Sequence, residues 1–369
     1  MIMENKNNDA LFQSYNMSGL NLKNRMVMAP MTRSRSDNKD LAATELTAKY
    51  YEQRATAGLI ISEGTYINPR GIGFIHVPAI YTEKQVEGWR IVTKAVHEKG
   101  GKIFAQLWHV GALSHPDLQD GKIPIAASAV NPNMQAYTLS GFQPTITPEP
   151  MTLEEIHQTV EDFKKAAINA MEAGFDGVEI HAANGYLFHQ FFSKGTNLRT
   201  DNYGGSIENK ARILFETIDA IKSAIPENRI GVRLNPSLDS IGIKLDEEAV
   251  PTFEYIVKKL NGYDLAYLHL TEPFTDVSRF PFAIKEVAKH FRPLYNGTLI
   301  INKGFDKVSG NKVLNDDDAD LVAYGVPFLA NPDLVKRFET DAPLNEADKN
   351  TFYTTGEKGF TDYSFLQEL

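Results

Sequence analysis

The stretch Thr152–Leu187 reads TLEEIHQTVEDFKKAAINAMEAGFDGVEIHAANGYL, and its two halves follow different patterns. Up to Ala173 the apolar residues return at helical spacing, with Phe163, Ala166, Ala167, Ala170 and Met171 on one face. Thr152 and Glu155 stand at capping-box spacing, so each side chain can satisfy the other residue's backbone N–H at the helix start. From Gly177 to Ala183 the chain changes to a short apolar run of strand length.

The same alternation extends in both directions. Strand-like runs occur at Met26–Met31, Leu59–Ile67, Lys102–His109, Gly177–Ala183, Arg229–Asn235, Leu265–Thr271, Thr298–Lys303 and Leu321–Tyr324. Helix-length amphipathic segments sit at Thr44–Ala57, Glu83–Lys99, Thr152–Ala173, Ser206–Ala224, Asp246–Leu260, Pro281–Phe291, Asp306–Leu314 and Asn331–Thr340. Strand then helix, eight times over, predicts a parallel sheet closed on itself, an α/β fold of the (β/α)8 TIM-barrel class. An open doubly wound sheet would show the same alternation, but no G-x-G-x-x-G follows any strand. With no repeat and no low-complexity linker, residues 1–369 read as one barrel domain. Residues 110–150, rich in Pro, Gly, Ser and Ala, read as a βα-loop insertion after the third strand, and 341–369 as a C-terminal extension.

Composition narrows the class. The chain has 369 residues, 42% hydrophobic, with 38 basic and 47 acidic side chains and a formal charge of −9. That balance argues against a nucleic-acid surface, which needs concentrated positive charge. There is no cysteine, so disulfides, thiolate metal sites, iron–sulfur clusters and a cysteine nucleophile are excluded together. The start, MIMENKNNDALFQSYNMSGL, lacks a basic segment followed by an apolar core, so no signal peptide is expected. No stretch approaches the roughly 18 apolar residues of a membrane span. The expectation is a soluble, cytoplasmic protein.

A parallel barrel builds its active site from the loops at the carboxyl ends of its strands. The polar and glycine residues closing the strands are Thr32, Gly64, Gln106 with Trp108, His181 with Asn184 and Tyr186, Arg233, Lys303 with Gly304, and Gly325. They come from different strands and can converge on one cavity, and their types do not resemble a hydrolase site. No H-x-H or H-E-x-x-H occurs, and no carboxylate pair accompanies the strand-end histidines. The acidic run at Asn315–Asp320 lies before a strand, at the wrong end of the barrel, and reads as a solvated loop.

At these residues the chain resembles the Old Yellow Enzyme family of flavin oxidoreductases, which includes N-ethylmaleimide reductase-like ene-reductases. The segments that carry the resemblance are Asn24–Arg25 through Ala29-Pro30-Met31-Thr32-Arg33, Gln106-Leu107-Trp108-His109, Glu179-Ile180-His181-Ala182-Ala183-Asn184-Gly185-Tyr186-Leu187, Asn202-Tyr203-Gly204-Gly205-Ser206 with Asn209 and Arg212, and Ala330-Asn331-Pro332-Asp333-Leu334. They follow the family's order over essentially the whole chain.

The resemblance implies an FMN-dependent enzyme that uses NADPH or NADH to reduce a C=C bond activated by a carbonyl, maleimide or nitro group. It implies non-covalent FMN held by Pro30, Met31, Thr32, Gly64, Gln106, His181, Arg233, Lys303, Gly304, Gly325 and Val326. Gln106 offers both donor and acceptor to the flavin pyrimidine edge. Arg233 supplies a cation where reduced flavin gathers negative charge, though a structural ion pair is its other reading. Thr32 would hydrogen-bond the flavin C4 carbonyl, and it places the chain outside the subgroup with cysteine there.

His181 and Asn184 would hold the substrate oxygen, and Tyr186 would protonate the α carbon. Phe74, Trp108 and Tyr353 would line the substrate pocket, with plain core packing as their alternative. Two departures fall at the phosphate end. Lys303 stands where glycine is common and Val326 where many relatives carry arginine, so Lys303 is a candidate to replace part of that charge. Ala112 also stands where arginine is frequent. Rival readings are a flavin or ligand binder without catalysis, and a metal-dependent hydrolase using His109, His181 and His269. The physiological substrate and the choice between monomer and homodimer stay open.

Overall fold

Every core strand of this protein is buried along its length, which is why the strands read as apolar runs rather than alternating ones. A computed structural model describes residues 9–367, so the part of the N-terminal reading on residues 1–8 lies outside the described residues. The core strands are β1 (Met26–Met28), β2 (Leu59–Tyr66), β3 (Ile103–Trp108), β4 (Gly177–His181), β5 (Ile230–Leu234), β6 (Tyr267–Thr271), β7 (Leu299–Asn302) and β8 (Leu321–Tyr324). All pair in parallel and in chain order, and β8 returns to β1 through Val322 opposite Met26, closing the (β/α)8 barrel.

Helices follow the strands as expected: α1 (Glu45–Gln53), α2 (Glu83–Glu98), α3 (Leu153–Glu172), α4 (Ile207–Lys222), α5 (Ala249–Leu260), α6 (Val287–Phe291), α7 (Lys307–Asn315) and α8 (Leu334–Glu339). The capping box of α3 forms, with Glu155 N–H donating to Thr152 Oγ1 at 3.1 Å and Thr152 N–H to Glu155 Oε2 at 2.8 Å. Its inward face buries Phe163, Ala166, Ala167 and Ala170.

Several boundaries move, each for a local reason. The first strand stops at Met28 rather than Met31, because Pro30 has no N–H to give the ladder. The helix expected over Pro281–Phe291 begins only at Val287, where the Glu272 carboxylate accepts the Val287 and Ala288 N–H groups at 2.8 and 3.1 Å. The segment expected as Asn331–Thr340 starts at Leu334, since Pro332 biases Asn331 away from helical dihedrals.

Residues 110–150 contain an antiparallel hairpin, Gln135–Thr138 with Gly141–Pro144, tied to the residues after β2 by a bridge between Phe74 and Tyr137. A second hairpin, Tyr15–Met17 with Leu20–Leu22, was not anticipated. Its Met17, Leu20 and Leu22 pack with Val27, Leu59, Phe104 and Tyr267 and close the amino-terminal end of the barrel. The other end is left for chemistry. No helix among the described residues is long and apolar enough to cross a membrane.

Candidate active site

The turn after β4 carries the most specific geometry. Asn184 and Gly185 are both left-handed, at φ 57° and 81°. Asparagine tolerates that region, and a Cβ on Gly185 would lie 2.4 Å from the Ile241 carbonyl oxygen, so only glycine fits. This reversal brings Tyr186 back over the strand end and starts the short helix Leu187–Phe192. His181, the last residue of β4, lies beside Arg233 of β5 in register.

At the carboxyl end of the barrel a cavity of about 290 Å³ is lined by Pro30, Met31, Thr32, Gln106, Trp108, His181, Asn184, Tyr186, Arg233, Val326 and Tyr353, all singled out in the sequence. An outer chamber of about 380 Å³ shares Thr32, Trp108, Tyr186 and Tyr353 with it and adds Phe74. Gly64 does not line the cavity; it lies behind Trp108, whose ring is 2.4 Å from where a Cβ would stand. Gly304 and Gly325 also stay off the wall. Lys303 is exposed, adopts φ 88°, and places its ammonium 5.4 Å from the Phe274 ring centroid.

Burial sets the protonation states. His181 is held well below the ordinary imidazole range, first by desolvation and then by the Arg233 charge, so the ring is neutral and has one N–H to give. Its Nδ1 finds no partner among the described residues. Burial pushes the Tyr186 phenol above its ordinary value. The Tyr186 ring meets Trp108 edge-on, and Trp108 stacks on Tyr66 and Phe74. Asn235 Nδ2 donates to Asn184 Oδ1 at 2.9 Å, which leaves the Asn184 amide N–H groups free of that bond.

Beneath the cavity Gln106 Nε2 donates to Glu179 at 2.7 Å, Glu179 bonds His269 Nδ1 at 2.8 Å, and Arg233 donates to Asn302 at 3.0 Å. Glu179 gives His269 a single carboxylate partner, not the carboxylate pair that a metal site would need. Glu179 was visible as a lone charge inside an apolar strand, the one signal that could have found it. His109 is buried and pushed down to about 3, and no cluster of three metal-ligating side chains occurs among the described residues.

The sequence reading also missed Leu329 and Phe352 on the inner wall and Tyr137, Phe142 and Lys349 in the outer chamber. Leu329 lies in the short helix Val326–Ala330 after β8, and the others come from the hairpin and the C-terminal segment, where no periodicity points to a site.

Comparison with known proteins agrees with this geometry. Residues 10–345 match the NADH:flavin oxidoreductase / NADH oxidase family. The chain is 44% identical to 12-oxophytodienoate reductase 1 of Oryza sativa subsp. japonica over 365 residues, covering 97% of this chain and 94% of the relative. It superposes with a TM-score of 0.91 on morphinone reductase solved in complex with tetrahydroNAD, at 44% identity over 97% of this chain and 98% of that one. An old yellow enzyme homologue from Zymomonas mobilis matches with a TM-score of 0.92 at 38% identity, covering 97% and 100% of the two chains.

The residues present fit FMN. Arg233 Nε is buried without a partner among the described residues, and the cavity floor supplies both amide and guanidinium groups for a polar ring edge. The chain therefore belongs to the NADH:flavin oxidoreductase / NADH oxidase family, as a (β/α)8-barrel ene-reductase that uses FMN and takes its hydride from NAD(P)H.

Proposed function

We propose that the chain reduces the C=C bond of α,β-unsaturated carbonyl compounds, maleimides and nitroalkenes, with His181 and Asn184 holding the activating oxygen and Tyr186 supplying the proton. The observation that carries this reading is the convergence of these three side chains on one cavity at the barrel's carboxyl end. FMN, when bound, would supply the redox chemistry, hydride transfer from NAD(P)H to the alkene β carbon. The neutral His181 N–H and the Asn184 amide donate to the substrate oxygen, and those bonds strengthen as enolate-like charge develops there. Tyr186, protonated at neutral pH, can give its proton to the α carbon. Trp108, Phe74 and Tyr353 shape the space for the rest of the substrate.

The test is an anaerobic visible spectrum of the purified protein before and after NADPH, then after N-ethylmaleimide. The expected result is a flavin spectrum that bleaches with NADPH and returns with the alkene. A protein that cannot be reconstituted with FMN, or whose reduced flavin ignores the alkene, contradicts the reading.

A further inference from the structure

Glu179 has no place in the chemistry just described, yet it is completely buried on β4 between Val178 and Ile180. It faces Gln106 directly across the β3–β4 pair. Its Oε1 receives Gln106 Nε2 at 2.7 Å and its Oε2 lies 2.8 Å from His269 Nδ1. An ionised carboxylate only accepts hydrogen bonds, so its contacts settle which atom of a neighbouring amide faces it. Were the Gln106 amide turned over, two acceptor oxygens would meet at that distance without a proton between them. The Gln106 backbone cannot slide away either, because its N–H donates to Ser62 Oγ at 3.1 Å.

We infer that Glu179 is a positioning residue: it turns the Gln106 amide so that its oxygen is left to the cavity, committing that point of the wall to an N–H donor from the ligand. The inference rests on FMN being that ligand. The flavin pyrimidine edge carries one N–H, at N3, between two carbonyl oxygens that can only accept. A Gln106 free to rotate would serve those carbonyls equally well through its NH2 group. The carboxylate removes that choice. His269, fully buried and donating to the other oxygen, holds Glu179 in place, and Arg233 on the adjacent strand balances its charge.

The experiment is fluorescence titration of the flavin-stripped full-length protein with FMN and with FMN methylated at N3, which lacks the donor. Native protein is expected to bind the methylated flavin at least tenfold more weakly, roughly the effect of leaving a buried acceptor unpaired. Glu179→Gln, which can itself donate to a reversed Gln106, is expected to narrow that ratio to about threefold or less while FMN still binds. The exchange Gln106→Glu with Glu179→Gln conserves volume and charge and again leaves an acceptor to the cavity. It is expected to restore the ratio even where the single variant does not fold. Equal binding of the two flavins by native protein overturns the inference. So does a full ratio in folded Glu179→Gln, or its loss in the exchanged pair. A native chain that binds neither flavin overturns the functional reading as well.

Discussion

Tyr186 keeps its proton under conditions where a free phenol begins to lose it, because burial disfavours the charged form. The sign matters for the pH profile. A raised acid pKa moves loss of the proton to higher pH, so the acid form persists past the ordinary phenol value of about 10. His181 is shifted the other way and stays neutral on the acid side as well. Alkene reduction by the pre-reduced enzyme is therefore expected to be level from about pH 6 to pH 10 in single-turnover stopped flow. A basic limb with a midpoint below the free-phenol value would show that Tyr186 is not the acid or not buried in the working state. Tyr186→Phe removes the proton without removing the ring that packs on Trp108. It is expected to slow alkene reduction by roughly 100-fold or more, the usual scale of general acid catalysis. Flavin reduction by NADPH should stay within about threefold, since no general acid acts in that half-reaction. Equal losses in both would assign Tyr186 to binding.

Among the elements, the turns after β7 and β8 carry two of this chain's departures from the residues its resemblance implies, Lys303 and Val326. Val326 begins the short helix Val326–Ala330, lines the cavity and is 48% exposed, so there is room for a longer side chain. Lys303 holds a left-handed φ of 88° that glycine would adopt without cost, and its ammonium lies over Phe274. Val326→Arg restores a cation at the edge of the site. It is expected to tighten FMN by roughly tenfold through a charge-assisted bond to phosphate, with little effect on riboflavin, in fluorescence titrations. Equal tightening of both flavins would place the new contact on the ring instead. Unchanged FMN affinity in Lys303→Ala would assign that side chain to Phe274 alone.

These turns also show where sequence legibility ends. The eight strands and their helices were readable because burial on both strand faces and helical periodicity leave composition signals, as at Gly177–His181 and Phe163–Ala170. The residues at strand ends followed from topology. What was not readable depends on contacts between distant segments: the hairpin plugging the barrel floor, the Glu272 cap that delays α6, and Phe142 over the mouth. No local pattern encodes those meetings.

Across the whole molecule, one wall of the cavity is built from chain that follows β8, held by three buried arginines near the N-terminal end. Arg33 donates to the Gly359 carbonyl at 2.7 Å, and Arg54 to those of Phe328 and Leu329 at 2.8 and 2.7 Å. Arg35 donates to the carbonyls of Thr351, Phe352 and Lys358 at 2.8, 2.9 and 2.9 Å. Phe360 stacks on Tyr50 at 4.1 Å beneath these guanidiniums. Leu329, Phe352 and Tyr353 all line the cavity, so these bonds to backbone carbonyls set the shape of the site without touching its contents. Arg33 and Arg35 directly follow Thr32 and Ser34 respectively, so the same short segment both lines the cavity and anchors the chain that walls it.

Arg35→Ala removes the donor to the buried Thr351 carbonyl and its bonds to the Phe352 and Lys358 carbonyls, and is expected to weaken folding by roughly 3 kcal/mol, a value set by lost charged hydrogen bonds. Its kinetic effect should fall on KM more than on kcat, because Phe352 and Tyr353 lose their anchor while His181, Asn184 and Tyr186 keep theirs. Arg35→Lys retains the charge but not the fork that reaches separate carbonyls, and is expected to rescue little of either. Chemical denaturation with steady-state kinetics on one small and one bulky enone checks both points. Native-like stability and KM in Arg35→Ala would mean that Arg33, Arg54 and the Phe360 stack hold the wall unaided.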